Sequence, residues 1–199
     1  MLTIIMLTSK RQQKIISTAQ TRQQAAVVLE DIHDPHNAAA VFRNCEAFGV
    51  QDVYLIFNKQ EKFNPRRVGK ATSSSANKWL DFHTYTSVEQ CMADLKKDGY
   101  STLATILDAK AEPLFEAPVS EGKIAWLFGN EHLGLSPEIA ALADRHIYIP
   151  MAGFVQSLNL SVTTGICLFE MTRQRQEKGL ENYLLPLRQF LQLSKKWST

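Results

Sequence analysis

The chain has 199 residues, 22 Lys and Arg against 20 Asp and Glu, a formal charge of +2 and 45% hydrophobic residues. This is the composition of one globular domain with a sizeable core, and it excludes a disordered, fibrous or collagen-like chain. No apolar run approaches the roughly 18 to 20 residues of a membrane span, and Cys45, Cys91 and Cys167 suit neither a disulfide framework nor a structural zinc site, so a reducing cytoplasm is the expected setting.

The opening MLTIIMLTSKRQQK has no positive region ahead of its apolar stretch and reads as mature protein rather than a leader. Residues 1–24 carry Lys10, Arg11, Lys14 and Arg22 and no acid, a local charge of +4, and form an expected basic helical extension. The main unit, expected over residues 25–178, begins with a strand at 26–32 (AVVLEDI). A helix over 38–48 follows, with Asn37 as its cap, Val41, Cys45 and Phe48 as its stripe and Gly49 as its stop. A second strand is expected at 52–57, and residues 59–78 then hold Lys59, Lys62, Arg66, Arg67, Lys70 and Lys78 against Glu61. Residues 80–85 are a possible further strand, and Ser87 with Gln90 forms a capping box for a helix ending near Gly99. Strands at 101–107, 124–128 and 146–149 alternate with a short helix opened by Ser136 and Pro137. Near-continuous apolar strands separated by helices predict an α/β fold with a mainly parallel sheet flanked by helices.

The last helix of this unit, from Asn159 to about Lys178, has two apolar stripes: Val162, Ile166 and Phe169, and Leu160, Cys167, Leu168 and Met171. One stripe covers the sheet. The other needs either a second subunit, with Leu168 expected there, or cover from the C-terminal segment. Residues 171–199 hold six basic and two acidic residues, again +4, and residues 179–199 form a short basic C-terminal extension. The body between the two basic ends carries −6. Basic segments on an acidic scaffold are what a polyanion-binding protein needs, with solvated helix faces as the plain alternative.

Three clusters sit at the carboxyl ends of expected strands, where open α/β sheets place their ligands. HDPHNAAAVFRNCEAFGV begins at His33 and places Arg43 off the apolar stripe of its helix. LFGNEHLGLSPE, residues 127–138, carries Gly129 and Gly134 in a loop after a strand. IPMAGFVQSLNLSV, from Ile149, joins a strand end to a helix start. Taken singly, each is explained by surface polarity and helix capping.

In this order and spacing the three clusters make the chain resemble the SpoU branch of the SPOUT methyltransferases, and within it the TrmH group of tRNA guanosine ribose methyltransferases, over roughly residues 26–178. The stretches SSSANKWL and MTRQRQ are similar to the tRNA enzymes of that branch. The resemblance implies a C-terminal trefoil knot, a homodimer with a shared active site, S-adenosylmethionine as methyl donor and no metal. It places Asn37, Arg43, Glu131, Ser157 and Asn159 in the catalytic site and Thr105, Gly129, Ile149 and Leu158 at the donor pocket. RNA contacts are expected at Lys10, Arg11, Lys14, Arg66, Arg67, Arg173 and Arg175, because the chain ends soon after Trp197, without the extended tail of longer members. The implied substrate is tRNA, at a guanosine of the D-loop, with ribosomal RNA or another tRNA position as the alternative.

The residue types suit methyl transfer to a ribose hydroxyl, an in-line displacement that needs alignment and stabilisation of developing negative charge. Arginine stays protonated in proteins, so Arg43 is assigned to the adjacent phosphate and the incipient alkoxide, with phosphate or water accepting the proton. Asn37 and Glu131 fix this arrangement, and Ser157 and Asn159 shape the loop that presents the donor. A nicotinamide-dependent oxidoreductase would share the strand–helix alternation, but the chain has no G-x-G-x-x-G. A non-catalytic RNA-binding dimer would not require the second and third clusters intact.

Overall fold

The computed structural model describes residues 9–68 and 76–198; residues 1–8, Lys70 and the first part of SSSANKWL lie outside it. The strands are β1 (Gln23–Glu30), β2 (Val50–Ile56), β3 (Asp81–Tyr85), β4 (Tyr100–Thr105), β5 (Glu112–Pro113), β6 (Lys123–Phe128) and β7 (Arg145–Tyr148). The helices are α1 (Ser9–Ala19), α2 (Pro35–Ala47), α3 (Val88–Lys97), α4 (Pro137–Leu142), α5 (Leu160–Glu177) and α6 (Leu187–Ser198). All seven strands form one sheet in the order β3-β2-β1-β6-β4-β7-β5, and every pairing is parallel.

Alternation along the strands divides the core in two. Ala25, Val27 and Leu29 of β1 point with Trp126 and Phe128 of β6 toward α2 and α5. Ala26 and Val28 point the other way, with Ala125 and Leu127, toward α3 and α4. Burial on both faces is why β1 reads as an unbroken apolar run. A third, smaller cluster joins α1 to α6 through Ile15, Ala19, Leu193 and Trp197. The three cysteines are free and buried, and burial pushes the Cys91 thiol up to about 12.

Several boundaries differ from the sequence reading, each for a local reason. The cap of α2 is Asp34, whose carboxylate accepts the His36 N–H at 2.8 Å, with Pro35 as the first helical residue; Asn37 sits inside the helix. Gly49 ends that helix as expected, at φ +70° and so close to the Thr21 carbonyl that a Cβ would stand 2.4 Å from it. The first strand stops at Glu30 because Asp31 takes a left-handed backbone, although Ile32 beyond it is still buried. The possible strand at 80–85 is real, as β3, whereas β5 has only two residues and leaves no periodic signal.

The largest correction concerns α5. Leu160, Cys167, Leu168 and Met171 are all buried within this one chain, against α2 and the sheet. The uncovered stripe is the other one, with Val162 47% and Phe169 58% exposed. Leu168 therefore belongs to the core, not to a subunit interface.

The far end of α5 is fastened by polar groups. The Gln174 amide donates to the Ala117 carbonyl and its oxygen accepts the Val119 N–H, both at 3.0 Å. Arg175 is 0% exposed, and its guanidinium donates to the carbonyls of Ser120, Gln24 and Gly122 and to the Gln23 side chain. It also lies over the Tyr183 ring, 5.0 Å from the centroid, with burial lowering its pKa to about 10. Replacing it with Ala strands several buried carbonyls at once, and each unsatisfied group costs about 1–3 kcal/mol. Arg175→Ala is expected to lower the unfolding free energy by about 3 kcal/mol or more in urea titration; a loss under about 1 kcal/mol would mean that water replaces the guanidinium without penalty.

Candidate active site

The carboxyl ends of β1, β6 and β7 lead into α2, into a turn at residues 129–134 and into the exposed loop 149–159. Because Asp34 caps α2, the Asn37 side chain is released from capping and faces these loops. Its amide donates to Glu131 Oε1 at 2.9 Å, and its oxygen accepts from the Asn159 amide at 3.3 Å. Asn159 caps α5 as expected, its oxygen accepting the Ser161 N–H at 2.8 Å and the Ser161 hydroxyl at 2.7 Å. One continuous hydrogen-bonded chain thus joins the three sequence clusters.

Glu131 also accepts the main-chain N–H groups of His33 at 2.9 Å and Asp34 at 3.3 Å. Burial alone would raise its pKa, but the donors from Asn37, His33 and Asp34 outweigh that and hold the carboxyl below the usual carboxylate range. The turn that carries Glu131 is closed by paired main-chain bonds between Asn130 and Gly134 at 3.0 and 2.8 Å. A Cβ at Gly129 would stand 2.1 Å from the Gly134 carbonyl carbon, so only glycine permits this closure.

Arg43 is exposed on α2 and lines a groove of about 450 Å³ with Asn44, Ser161, Val162 and Gly165. The Asn44 amide donates to the Ser161 carbonyl at 2.6 Å, tying α2 to the start of α5. Ser157 is exposed on the loop ahead of α5. Thr105, Gly129 and Ile149 stand at the ends of the adjacent strands β4, β6 and β7. The Thr105 hydroxyl donates to the Leu127 carbonyl at 2.9 Å, Ile149 packs against the core, and Leu158 lies at the border of exposure on the loop. Leu107, Met151, Phe154 and Val155, all exposed, follow β4 and β7. Among the described residues, no group of three or more His, Cys, Asp and Glu is placed to hold a metal.

The basic residues divide. Lys10, Arg11, Lys14 and Arg67 are exposed, and the Arg66 guanidinium lies 5.5 Å from the Phe82 ring centroid. Arg173 is engaged by Glu170 through two 2.8 Å bonds and pairs with Glu177, so its charge is largely neutralised. Arg175, expected at the RNA surface, is a core residue, and Arg22 of the N-terminal basic cluster is likewise buried, against Glu46 and the Trp197 ring. Sequence reading missed Asp34 and Asn44. The first had a signal in Asp followed by Pro at a helix start; the second had none.

The Glu131 shift fixes a sign. A depressed carboxyl contributes stability above the unfolded pKa of about 4.3 and loses it as pH falls through the lower folded value. Glu131→Gln is therefore expected to be less stable than wild type at neutral pH, with the difference narrowing below about pH 4, as read from urea unfolding at both pH values. A difference independent of pH would sink the assignment of a charged, hydrogen-bonded Glu131.

The profile of the SpoU rRNA Methylase family matches residues 24–169. The chain is 36% identical to the tRNA (guanosine(18)-2'-O)-methyltransferase of Thermus thermophilus over 177 residues, 87% of each chain. To the enzyme of that name in Escherichia coli K12 it is 34% identical over 171 residues, 84% of this chain and 72% of the other. Its backbone is similar to the TrmH/SpoU tRNA modifying enzyme of Aquifex aeolicus, with a TM-score of 0.84, 31% identity and 95% of both chains covered. An AdoMet-bound rRNA methyltransferase from Sinorhizobium meliloti gives a TM-score of 0.67 at 25% identity, over 82% of this chain and 60% of the other. With more than half of its length matched by the family profile and its carboxyl-end loops joined through Asn37, Glu131 and Asn159, the chain belongs to the SpoU methylase family.

Proposed function

We propose that this protein is an S-adenosylmethionine-dependent RNA ribose 2′-O-methyltransferase, acting on tRNA at a guanosine of the D-loop as a cytoplasmic homodimer. The observation that carries the reading is the Glu131–Asn37–Asn159 chain, which binds three loops into one unit beside the exposed Arg43. Relatives named as tRNA guanosine ribose methyltransferases support tRNA over ribosomal RNA.

The ends of β4, β6 and β7 offer what the donor's adenosine and methionine moieties need: apolar side chains, main-chain groups and a turn held tight by Gly129. Thr105, Gly129, Ile149 and Leu158 would hold it. When bound, S-adenosylmethionine supplies a methyl carbon activated by a sulfonium. The rest falls to the chain. Arg43 binds the phosphate next to the target ribose and offsets negative charge growing on the 2′ oxygen, a role that suits a group always protonated. Asn37 holds Glu131 and Asn159 in register, and Ser157 with Asn159 sets the path of the donor loop. The proton leaves to phosphate or water. No metal enters this scheme.

We infer that residues 1–24 and 179–199 flank the methyltransferase unit at 25–178 and contact RNA through Lys10, Arg11 and Lys14, together with Arg66 and Arg67. The packing of α1 on α6 supports treating the two extensions as one surface. The match to the SpoU family supports a trefoil knot at the carboxyl end of this unit. For the dimer, the support is the uncovered Val162 and Phe169 beside the Arg43 groove, together with the exposed apolar loop around Phe154.

Transfer of labelled methyl from S-adenosylmethionine into bulk tRNA and rRNA, with mapping of the modified nucleotide, tests the function directly. Arg43→Ala is expected to cut turnover at least ~100-fold, the scale of losing one transition-state donor, with fold and donor binding kept; near-normal turnover would overturn its role. Phe169→Glu is expected to give a folded monomer by sedimentation that transfers no methyl, because a charge in a buried interface costs several kcal/mol, of order ~3 or more. Leu168→Glu should instead unfold the chain, and a folded, active Phe169→Glu monomer would contradict the shared site.

A further inference from the structure

Where β1 ends, the chain makes a turn of the kind usually left to glycine. Asp31 has φ +49°, alone among the described residues other than glycine in taking the left-handed region. An L residue is strained there, and such strain persists only where the surroundings enforce it. Asp31 is 8% exposed, and its main-chain N–H, its carbonyl and one carboxylate oxygen are all engaged. Its N–H donates to the Ile56 carbonyl at 2.9 Å, and its carbonyl accepts from the Asn130 side chain at 2.7 Å. One carboxylate oxygen accepts three consecutive main-chain N–H groups, from Asn58 at 2.7 Å, Lys59 at 2.9 Å and Gln60 at 3.1 Å.

The consequence lies in what those three residues begin. They open the basic segment that runs through Lys62 to Arg66 and Arg67. The far part of that segment is anchored independently, by Phe63 against Phe57 at 5.1 Å and by the Asn77 amide, which donates to the carbonyls of Pro65, Arg66 and Val68. Its near end rests on Asp31. From there Gln60 Oε1 lies 3.4 Å from His33 Nδ1, and the His33 N–H donates to Glu131.

We propose that Asp31 is a positioning residue for the RNA substrate, its carboxylate setting the path of residues 58–60 and so the placement of Lys59, at the near end of the basic segment, relative to the Glu131–Asn37–Asn159 chain. This rests on the RNA methyl-transfer reading above. The tie to Asn130 uses the Asp31 main chain and survives a side-chain change, so loss of the carboxylate frees the near end of the basic segment at residues 58–60 without untying the turn that carries Glu131. Charge-assisted bonds to a carboxylate are stronger than neutral ones, which is why a single oxygen can hold three amides.

Two variants of the full chain separate the roles. Asp31→Gly removes the acceptor and relieves the backbone; Asp31→Asn keeps an acceptor and tolerates the left-handed turn. In Asp31→Gly, hydrogen exchange at the amides of 58–60 is expected to accelerate about tenfold or more, and KM for tRNA to rise about tenfold. The kcat at saturating tRNA and the affinity for S-adenosylhomocysteine should stay within about twofold. Asp31→Asn should restore most of both losses, and it carries the test if the glycine variant does not fold, with smaller shifts in the same direction. Unchanged exchange at 58–60 overturns the proposal. So does accelerated exchange with unchanged KM, and so does a fall in kcat at constant KM, which would move Asp31 into the catalytic chain instead. Filter binding of tRNA gives a readout that needs no turnover: were the wild type to methylate no RNA, the function above would fall, while a tenfold weaker affinity of Asp31→Gly, about 1.4 kcal/mol, would still support Asp31 and an unchanged one would overturn it.

Discussion

A buried guanidinium with no carboxylate in its hydrogen-bonding shell is the point on which this fold closes. Arg175 gives its N–H groups to carbonyls of residues 24, 120 and 122 and to Gln23, so one side chain joins the end of α5, the start of β1 and the segment leading into β6. Gln174, one position earlier, meets residues 117 and 119 much as a neighbouring strand would. Taking a charge out of water is costly unless its donors are met. Here they are met by the main-chain oxygens of Gln24, Ser120 and Gly122 and by the Gln23 side chain. With its far end fixed in this way, α5 has its first turn held at the site, where Asn159 and Ser161 meet Asn37 and Asn44.

The site gains its order from a similar economy of capping. Asp34 caps α2, which leaves Asn37 free to bind Glu131 and Asn159. Had Asn37 been the cap, its oxygen would have been turned toward the helix's own N–H groups and the three loops would have lacked their common member. Glu131 is held by two main-chain donors as well as by Asn37, so its position is set mainly by backbone and depends little on rotamer choice. Arg43, by contrast, projects from α2 into an open groove, which suits the phosphate-binding role proposed for it.

The sheet and the main helices were legible because burial on both faces leaves long apolar runs, and the ends of α3, α4 and α5 because Ser87, Ser136 and Asn159 are effective caps. The residues brought together at the site were legible only through resemblance of three separated clusters; no periodicity places Asn37 within reach of Glu131. What could not be read has physical causes. The two apolar stripes of α5 look alike in sequence, and only packing shows that Leu168 is inside and Phe169 outside. Arg175 looks like one more basic residue in MTRQRQ, since the carbonyls that receive it lie 50 or more residues away in the chain. Asp31 sits in an apolar run that reads as continuous strand, and its left-handed turn depends on amides from another loop.

The parallel order of the strands bears on how the chain is made. In β1, Val28 pairs on one side with Tyr54 and on the other with Leu127. A growing chain emerging amino end first can build β1, α2, β2 and β3 early, but one edge of β1 stays unpaired until β6 has been synthesised. The apolar face of α2 waits longer still, for α5 and its closing Arg175. Pairings so distant in sequence form slowly, because loop-closure entropy is spent before contacts repay it. The nascent protein therefore carries an open sheet edge and an uncovered helix through most of its synthesis. Its core is begun by β1 and sealed only when α5 arrives.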